Sequence, residues 1–256
     1  MNETEEFIPN LELGQHFLVD KKVIEKEIIA SSLSKEDMVI EIGAGKGLLT
    51  EELAKKSKEV LAFEIDVRLN VFLDVLAKKY GNLKVVYGDA MKFPWKGYNK
   101  VVSNIPYFLA EPLIKKAIES GIEEMVLVVG ENFKKIILEN KSKAGITVNL
   151  FFDFIPIMVV KKSSFHPEPR VDSWLVKLKR KEKSTKQDRV LQSIILKKGK
   201  VKNAIIRSLV DEGITKNQAR GLLKEMHVNE YTLNKPVASI TGRFLEEVRN
   251  GLKKMV

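Results

Sequence analysis

One short stretch carries the residue types needed to act on an aromatic amine: Ser103-Asn104-Ile105-Pro106-Tyr107-Phe108. It follows Lys100-Val101-Val102, which reads as the end of a buried strand. Pro106 fixes its own φ and biases Ile105 toward extended backbone, so a stiff corner is expected. Such a corner can aim an amide oxygen and a main-chain carbonyl at the two protons of a planar amine. Tyr107 can supply a flat face beneath the ring. The competing reading is an asparagine turn followed by a core tyrosine, and the rest of the chain has to choose between them.

The elements that must position this corner come earlier. Met38 to Ile42 reads as a buried strand, followed by Gly43-Ala44-Gly45-Lys46-Gly47 and a helix with Leu48, Leu49 and Leu53. Glycines let a backbone approach a ligand, and the helix beyond offers unpaired N–H groups. The next strand, Val60 to Phe63, ends at Glu64, about 20 positions on, where α/β folds hold ribose hydroxyls. The third glycine falls one residue early for a dinucleotide fingerprint, and Gly45-Lys46 is followed by Gly47 rather than the Ser or Thr that a P-loop requires. A nucleoside cofactor without phosphate fits this spacing, and S-adenosylmethionine (SAM) is the candidate. A third strand, Leu83 to Tyr87, ends at Gly88-Asp89-Ala90. Asp89 either accepts from the adenine amine of that cofactor or caps a tight turn. With the Asn104 corner, four strand ends converge on one rim, where open α/β sheets place ligands.

Further along, Pro112–Ile118 and Phe133–Leu138 read as helices, and Met125–Val129 as a buried strand. Ile146–Phe154 and Ile157–Val160 read as strands separated by Pro156. Phe165, ahead of Pro167 and Pro169, is either a core plug or a second stacking face. At the N-terminal end, Asp20 is the expected cap of a helix bearing Val23, Ile24, Glu27 and Ile28; composition assigns Gln15 and His16 no role.

Composition excludes other chemistries. There is no cysteine, so disulfides, thiolate metal sites and cysteine nucleophiles are ruled out. His16, His166 and His227 are too widely spaced in sequence for a ligand set, and no metal is expected. No apolar run is long enough for a bilayer, and Met1–Glu6 is acidic where targeting peptides are basic, so a cytoplasmic protein is expected. The net charge is +10 over 256 residues, and residues 1–179 hold 26 basic and 26 acidic side chains. The whole excess lies in residues 180–256, with 18 basic against 8 acidic, a helical and basic segment entered through a polar linker, 180–187. A basic module beside a neutral one points to a polyanion partner.

Taken in order, Leu13-Gly14-Gln15-His16-Phe17-Leu18, Glu41-Ile42-Gly43-Ala44-Gly45-Lys46-Gly47, Glu64-Ile65-Asp66, Gly88-Asp89-Ala90, Asn104-Ile105-Pro106-Tyr107 and Phe165-His166-Pro167-Glu168-Pro169-Arg170-Val171-Asp172-Ser173 resemble the rRNA adenine dimethyltransferases of the KsgA/Erm superfamily. The resemblance spans roughly residues 11–178, with His16 where the family usually has Asn. It implies a Rossmann-like, SAM-dependent methyltransferase domain (1–179, with 1–20 covering the cofactor) and a small all-α C-terminal domain (180–256) that binds RNA. It places SAM on Gln15, His16, Leu18, Gly43, Gly45, Gly47, Glu64, Asp89 and Asn104. The catalytic corner it implies is Asn104, Ile105, Pro106 and Tyr107, with Phe165 on the far side of the base. Lys197, Lys198, Lys200, Lys202 and Arg207 are the expected RNA contacts. The implied activity is methylation of the adenine 6-amino group in ribosomal RNA, or in a ribosomal subunit precursor, by a monomer. Small-subunit and large-subunit targets both remain open, as do an assembly factor without catalysis and a DNA adenine methyltransferase.

Overall fold

Strands that are apolar on both faces need cover on both sides, and the sequence supplies a helix after nearly every one. A computed structural model describes residues 7–182 and 184–252, apart from the Tyr107 side chain. The expectations resting on Met1–Glu6 and on the Tyr107 ring therefore lie outside the described residues. Strand β1 (Phe17–Leu18) and helix α1 (Lys21–Ser31) lead into β2 (Met38–Ile42), α2 (Leu48–Lys56), β3 (Glu59–Glu64), α3 (Asn70–Lys79), β4 (Leu83–Tyr87), β5 (Lys100–Asn104), α4 (Ala110–Ser120) and β6 (Glu124–Gly130). Next come α5 (Glu131–Glu139), α6 (Lys143–Phe151), β7 (Phe152–Val160), β8 (Phe165–His166) and β9 (Ser173–Arg180).

The main sheet runs β4-β3-β2-β5-β6-β9-β7, with β2 to β6 parallel and β9 antiparallel to β6. The order reverses between β2 and β5, so the loops leaving those two strands turn away from each other and open a crevice. This is the Rossmann-like α/β core. One face of the sheet is covered by α1 and α2, whose Val23, Ile24, Ile28, Leu49 and Leu53 pack on Val39, Val102, Val126 and Val128. Asp20 caps α1 as expected, its carboxylate accepting from the Lys22 N–H at 2.9 Å.

The expected strand over Ile146–Phe154 is instead mostly helix α6, with β7 beginning only at Phe152. Ser142 caps α6 by accepting from the Gly145 N–H at 3.0 Å, and this local cap overrides the β-branched, aromatic composition that suggested a strand. Pro156 does not divide two strands but lies within β7, an edge strand, which is where a sheet tolerates proline.

By internal contacts the chain falls into two compact units, Met1–Lys134 with Ile155–Lys179 and Lys135–Phe154 with Arg180–Val256. Residues 135–154, which the sequence reading grouped with the first domain, thus belong with the second. That second unit is largely helical: α7 (Lys186–Leu196), α8 (Val201–Asp211), α9 (Lys216–Glu225), α10 (Glu230–Asn234) and α11 (Gly242–Leu252) join α6. Thr215 and Gln218 form a capping box at the start of α9. No helix among the described residues is long and apolar enough to cross a membrane.

Gly47 enters α2 at φ +84°, and a Cβ there would run into Leu76 of α3. Gly47→Ala combines a left-handed backbone with a side-chain collision, so it should destabilise the protein by about 1–3 kcal/mol in chemical denaturation.

Candidate active site

The crevice at the C-terminal strand ends is a cavity of about 510 Å³. Its floor is Ile42, Gly43 and Gly45 after β2, and a Cβ on Gly43 would meet no atom within 4 Å. The turn is held from below by Glu64 at the end of β3. One Glu64 oxygen accepts from the Gly45 N–H at 2.8 Å and the other from the Asp66 N–H at 2.9 Å. Burial raises the Glu64 carboxyl above its usual range, while those two N–H donors pull it back.

Asp89 serves as a cap: its Oδ1 accepts from the Met91 N–H at 2.9 Å, while the residue still lines the cavity. Ile65, Ala90 and Met91 add apolar walls.

The N-terminal segment forms a side of the same cavity. β1 pairs with β8, setting Phe17 against His166 and Leu18 against Phe165. His16 Nδ1 donates to the Pro167 carbonyl at 2.8 Å, which leaves Nε2 for a further contact. Gln15 lines the cavity, yet its side chain is engaged: its amide donates to Asp66 at 2.8 Å and its oxygen accepts from the Asn10 N–H at 2.6 Å. The Arg68 guanidinium beside Asp66 holds that carboxyl down at about 2. Gln15 therefore ties the N-terminal segment to the segment that follows β3.

Asn104 ends β5 and lines the cavity with Ile105, Pro106 and Phe165. Its Oδ1 is buried and has no hydrogen-bond partner among the described residues. Ile105 is buried and anchors the corner, while the Pro106 carbonyl accepts from the Leu109 N–H at 2.9 Å. Phe165 is 6% exposed and joins the apolar core while also forming part of the wall, so it is plug and wall at once. Leu18 and Gly47 do not line the cavity: Leu18 is core, and Gly47 caps α2.

Sequence reasoning left three features without a role. Phe108 is 65% exposed and lines the cavity directly after the corner; its place in the Asn104–Phe108 stretch was the available signal. Glu27 and Glu41 are fully covered carboxyls, and burial pushes Glu41 up to about 8. The signal for both was a charged residue in an otherwise apolar stripe.

The lining fits SAM. Open space above Gly43, acceptors at Glu64 and Asp89, and apolar walls suit a nucleoside, and among the described residues none that lines the cavity is Lys or Arg to meet a diphosphate. Among the described residues no group of three His, Cys, Asp or Glu is placed to hold a metal.

The profile of the family described as "Ribosomal RNA adenine dimethylase" matches residues 7–241. The chain belongs to that family. It is an rRNA adenine methyltransferase that uses SAM, and its partner is ribosomal RNA. Among its relatives, a protein of Methanococcus aeolicus named "Probable ribosomal RNA small subunit methyltransferase A" is 31% identical, over 96% of this chain and 97% of that one. A Pyrococcus furiosus protein of the same name is 31% identical, over 96% and 93%. Among solved structures, a dimethyladenosine transferase from Plasmodium falciparum superposes with a TM-score of 0.65 at 26% identity, covering 93% of this chain and 98% of that one. The 23S rRNA methyltransferase ErmE shares the fold, with a TM-score of 0.63 at 22% identity over 93% and 99%.

In the second unit the expected RNA contacts differ in availability. Lys198, Lys200, Lys202 and Arg207 are exposed at the start and along α8. Lys197 is instead paired with Asp211 at 2.7 Å.

Glu41 also makes stability pH-dependent. Its folded value of about 8 lies above its ordinary 4.5, so between the two the native state holds a proton that the unfolded state has released. Its contribution to stability is therefore lost as pH rises through that window. Glu41→Gln should lose less thermal stability than the parent between about pH 5 and about pH 8, read by melting temperature across the series.

Proposed function

We propose that this enzyme dimethylates adenines of small-subunit ribosomal RNA, with Asn104, Ile105, Pro106 and Tyr107 holding the target amine. The observation that carries the assignment of the corner is the buried, unpartnered Asn104 Oδ1 at a strand end on the cavity wall. The small-subunit target is supported by the names of the archaeal relatives, and the second methyl by the family's description. Every residue of the proposed site comes from one chain, so a monomer suffices, acting on a subunit precursor in the cytoplasm.

The adenine 6-amino group is a poor nucleophile because its lone pair is delocalised into the ring. Asn104 Oδ1 and the Ile105 carbonyl accept its two protons and favour a pyramidal nitrogen with its lone pair directed at the donor side. SAM, held by Gly43, Gly45, Glu64, Asp89, Gln15 and His16, supplies an electrophilic methyl group. The chain's main contribution is alignment, since reacting atoms must approach within about 3–3.5 Å. Phe165 on the cavity wall offers an aromatic face to the base, and stacking worth about 1–3 kcal/mol per base offsets much of the cost of extruding it. The product ammonium is acidic and loses its proton to water, so no strong base is needed. After one methyl, the amine keeps one N–H, and a single acceptor of the corner still orients it for the second round.

Asn104→Ala should lower methyl transfer to small-subunit rRNA by about 10²–10³-fold while SAM affinity in equilibrium dialysis changes little. Wild-type turnover by that variant would refute the assignment. The exposed Lys198, Lys200 and Lys202 are proposed to grip phosphates. Replacing all three by Ala should reduce the slope of log affinity against log salt by roughly two to three for an RNA fragment, whereas Lys197→Ala, which removes an already paired charge, should change it less.

A further inference from the structure

The basic second unit leaves a large aromatic ring uncovered. Tyr231 on α10 is 71% exposed. The turn that presents it is well tied: the Asn229 side chain accepts from the Tyr231 N–H at 2.8 Å, and the Leu233 N–H donates to the Asn229 carbonyl at 3.1 Å. A lone exposed tyrosine is ordinary on a protein surface. The residues gathered around this one give it a use.

The segment after α10 pairs with the entry to α8. The Val201 N–H donates to the Lys235 carbonyl at 2.9 Å, the Val237 N–H donates to the Gly199 carbonyl at 2.9 Å, and an antiparallel bridge joins Lys200 to Pro236. Lys235 is thereby fixed against the lysine-bearing turn at Lys198, Lys200 and Lys202, with Tyr231 one helical turn before it. The Lys235 ammonium sits over the Tyr231 ring, 4.3 Å from its centroid. At 71% exposure, the opposite face of the ring is open to solvent. Among the described residues Lys198, Lys200, Lys202 and Lys235 have no carboxylate within ion-pair distance, unlike Lys197, which is held by Asp211. The sequence keeps acids away from the patch: no Asp or Glu lies between Asp188 and Asp211, or between Glu230 and Glu246.

We propose that Tyr231, with Lys235 and Lys200, forms a platform for one unpaired base of the RNA. The base stacks on the open face of the ring, and the ammonium groups meet the phosphates on either side of it. Charge selects this occupant. Four uncompensated ammonium groups around an aromatic face suit a polyanion that carries flat bases, whereas an apolar peptide laid over them would cover charges without pairing them. A duplex keeps its base faces stacked inside, so the platform takes a single-stranded segment. The inference rests on the reading that exposed lysines of this unit grip phosphates, and adds to it a contact with a base.

The test compares Tyr231→Ala, Tyr231→Leu and Tyr231→Phe in the full-length enzyme. Binding is read by fluorescence anisotropy on a labelled oligouridylate, which offers the catalytic corner no adenine amine, and on an RNA duplex, each across a range of salt. Tyr231→Ala and Tyr231→Leu should weaken oligouridylate binding about 5–50-fold, leaving duplex binding and the salt slope unchanged. Tyr231→Phe keeps the ring and should stay within about twofold. Lys200→Ala combined with Lys235→Ala should instead lower the oligouridylate salt slope by about 1.4. Oligouridylate binding by Tyr231→Ala within twofold of wild type overturns the proposal. So does wild-type binding by Tyr231→Leu, which keeps apolar area without a π face, or an equal loss on the duplex. Melting temperatures check that each variant folds; should Tyr231→Ala not fold, Tyr231→Leu decides. If replacing Lys198, Lys200 and Lys202 together changes neither affinity nor slope, the phosphate-gripping reading itself fails. If that variant is impaired while Tyr231→Ala binds normally, this inference alone fails.

Discussion

The site depends on how two parallel strands part. β2 and β5 are paired only at Val39 with Lys100 and at Ile40 with Val101. Beyond those positions the Ser103 hydroxyl bridges the gap: it donates to the Ile42 carbonyl at 2.5 Å and accepts from the Ile42 N–H at 3.3 Å. A side chain thus does what the main-chain ladder no longer can, and in a fully buried place where unpaired polar groups are costly. Because Ser103 is pinned to Ile42, the next residues on each strand, Gly43 and Asn104, leave from a shared origin in diverging directions. The glycine turn and the Asn104 corner are therefore neighbours by construction.

At the other end of the same strands, charge takes over the bracing. Lys100 of β5 lies 3.2 Å from Asp37 and 3.8 Å from Glu124, and Lys177 of β9 lies 2.8 Å from Glu124. These groups are mostly covered, and a network of shared partners holds better than isolated surface pairs. The sheet is thus stapled ionically at the end far from the chemistry. At the opposite end of the strands, no described residue lining the cavity is Lys or Arg.

The N-terminal segment is tied down at three points, and each has a separate physical origin. Backbone pairing joins β1 to β8, His16 holds the Pro167 carbonyl, and Gln15 spans Asn10 and Asp66. A Cβ on Gly45 would come within 3.1 Å of the Phe17 ring, so the segment lies close over the glycine turn. That closeness explains why two stretches more than a hundred residues apart, around Phe17 and Phe165, belong to one wall.

Local chemistry in the sequence was enough to reveal the glycine turn, the acids at the ends of β3 and β4, the stiff corner at Asn104 and the Asp20 cap. Each is a short-range signal, set by φ preference, strand periodicity or an N-cap, and needs no distant partner to be read. The helix at Lys143–Phe151 was misread because an apolar, β-branched run looks alike in a buried helix and a buried strand, and its cap and packing decide between them. The burial of Glu27 and Glu41 and the engagement of Gln15 with Asp66 were likewise decided by tertiary structure. Their partners are brought together by sheet order and helix packing, and no spacing along the chain encodes which carboxyl ends up facing which amide.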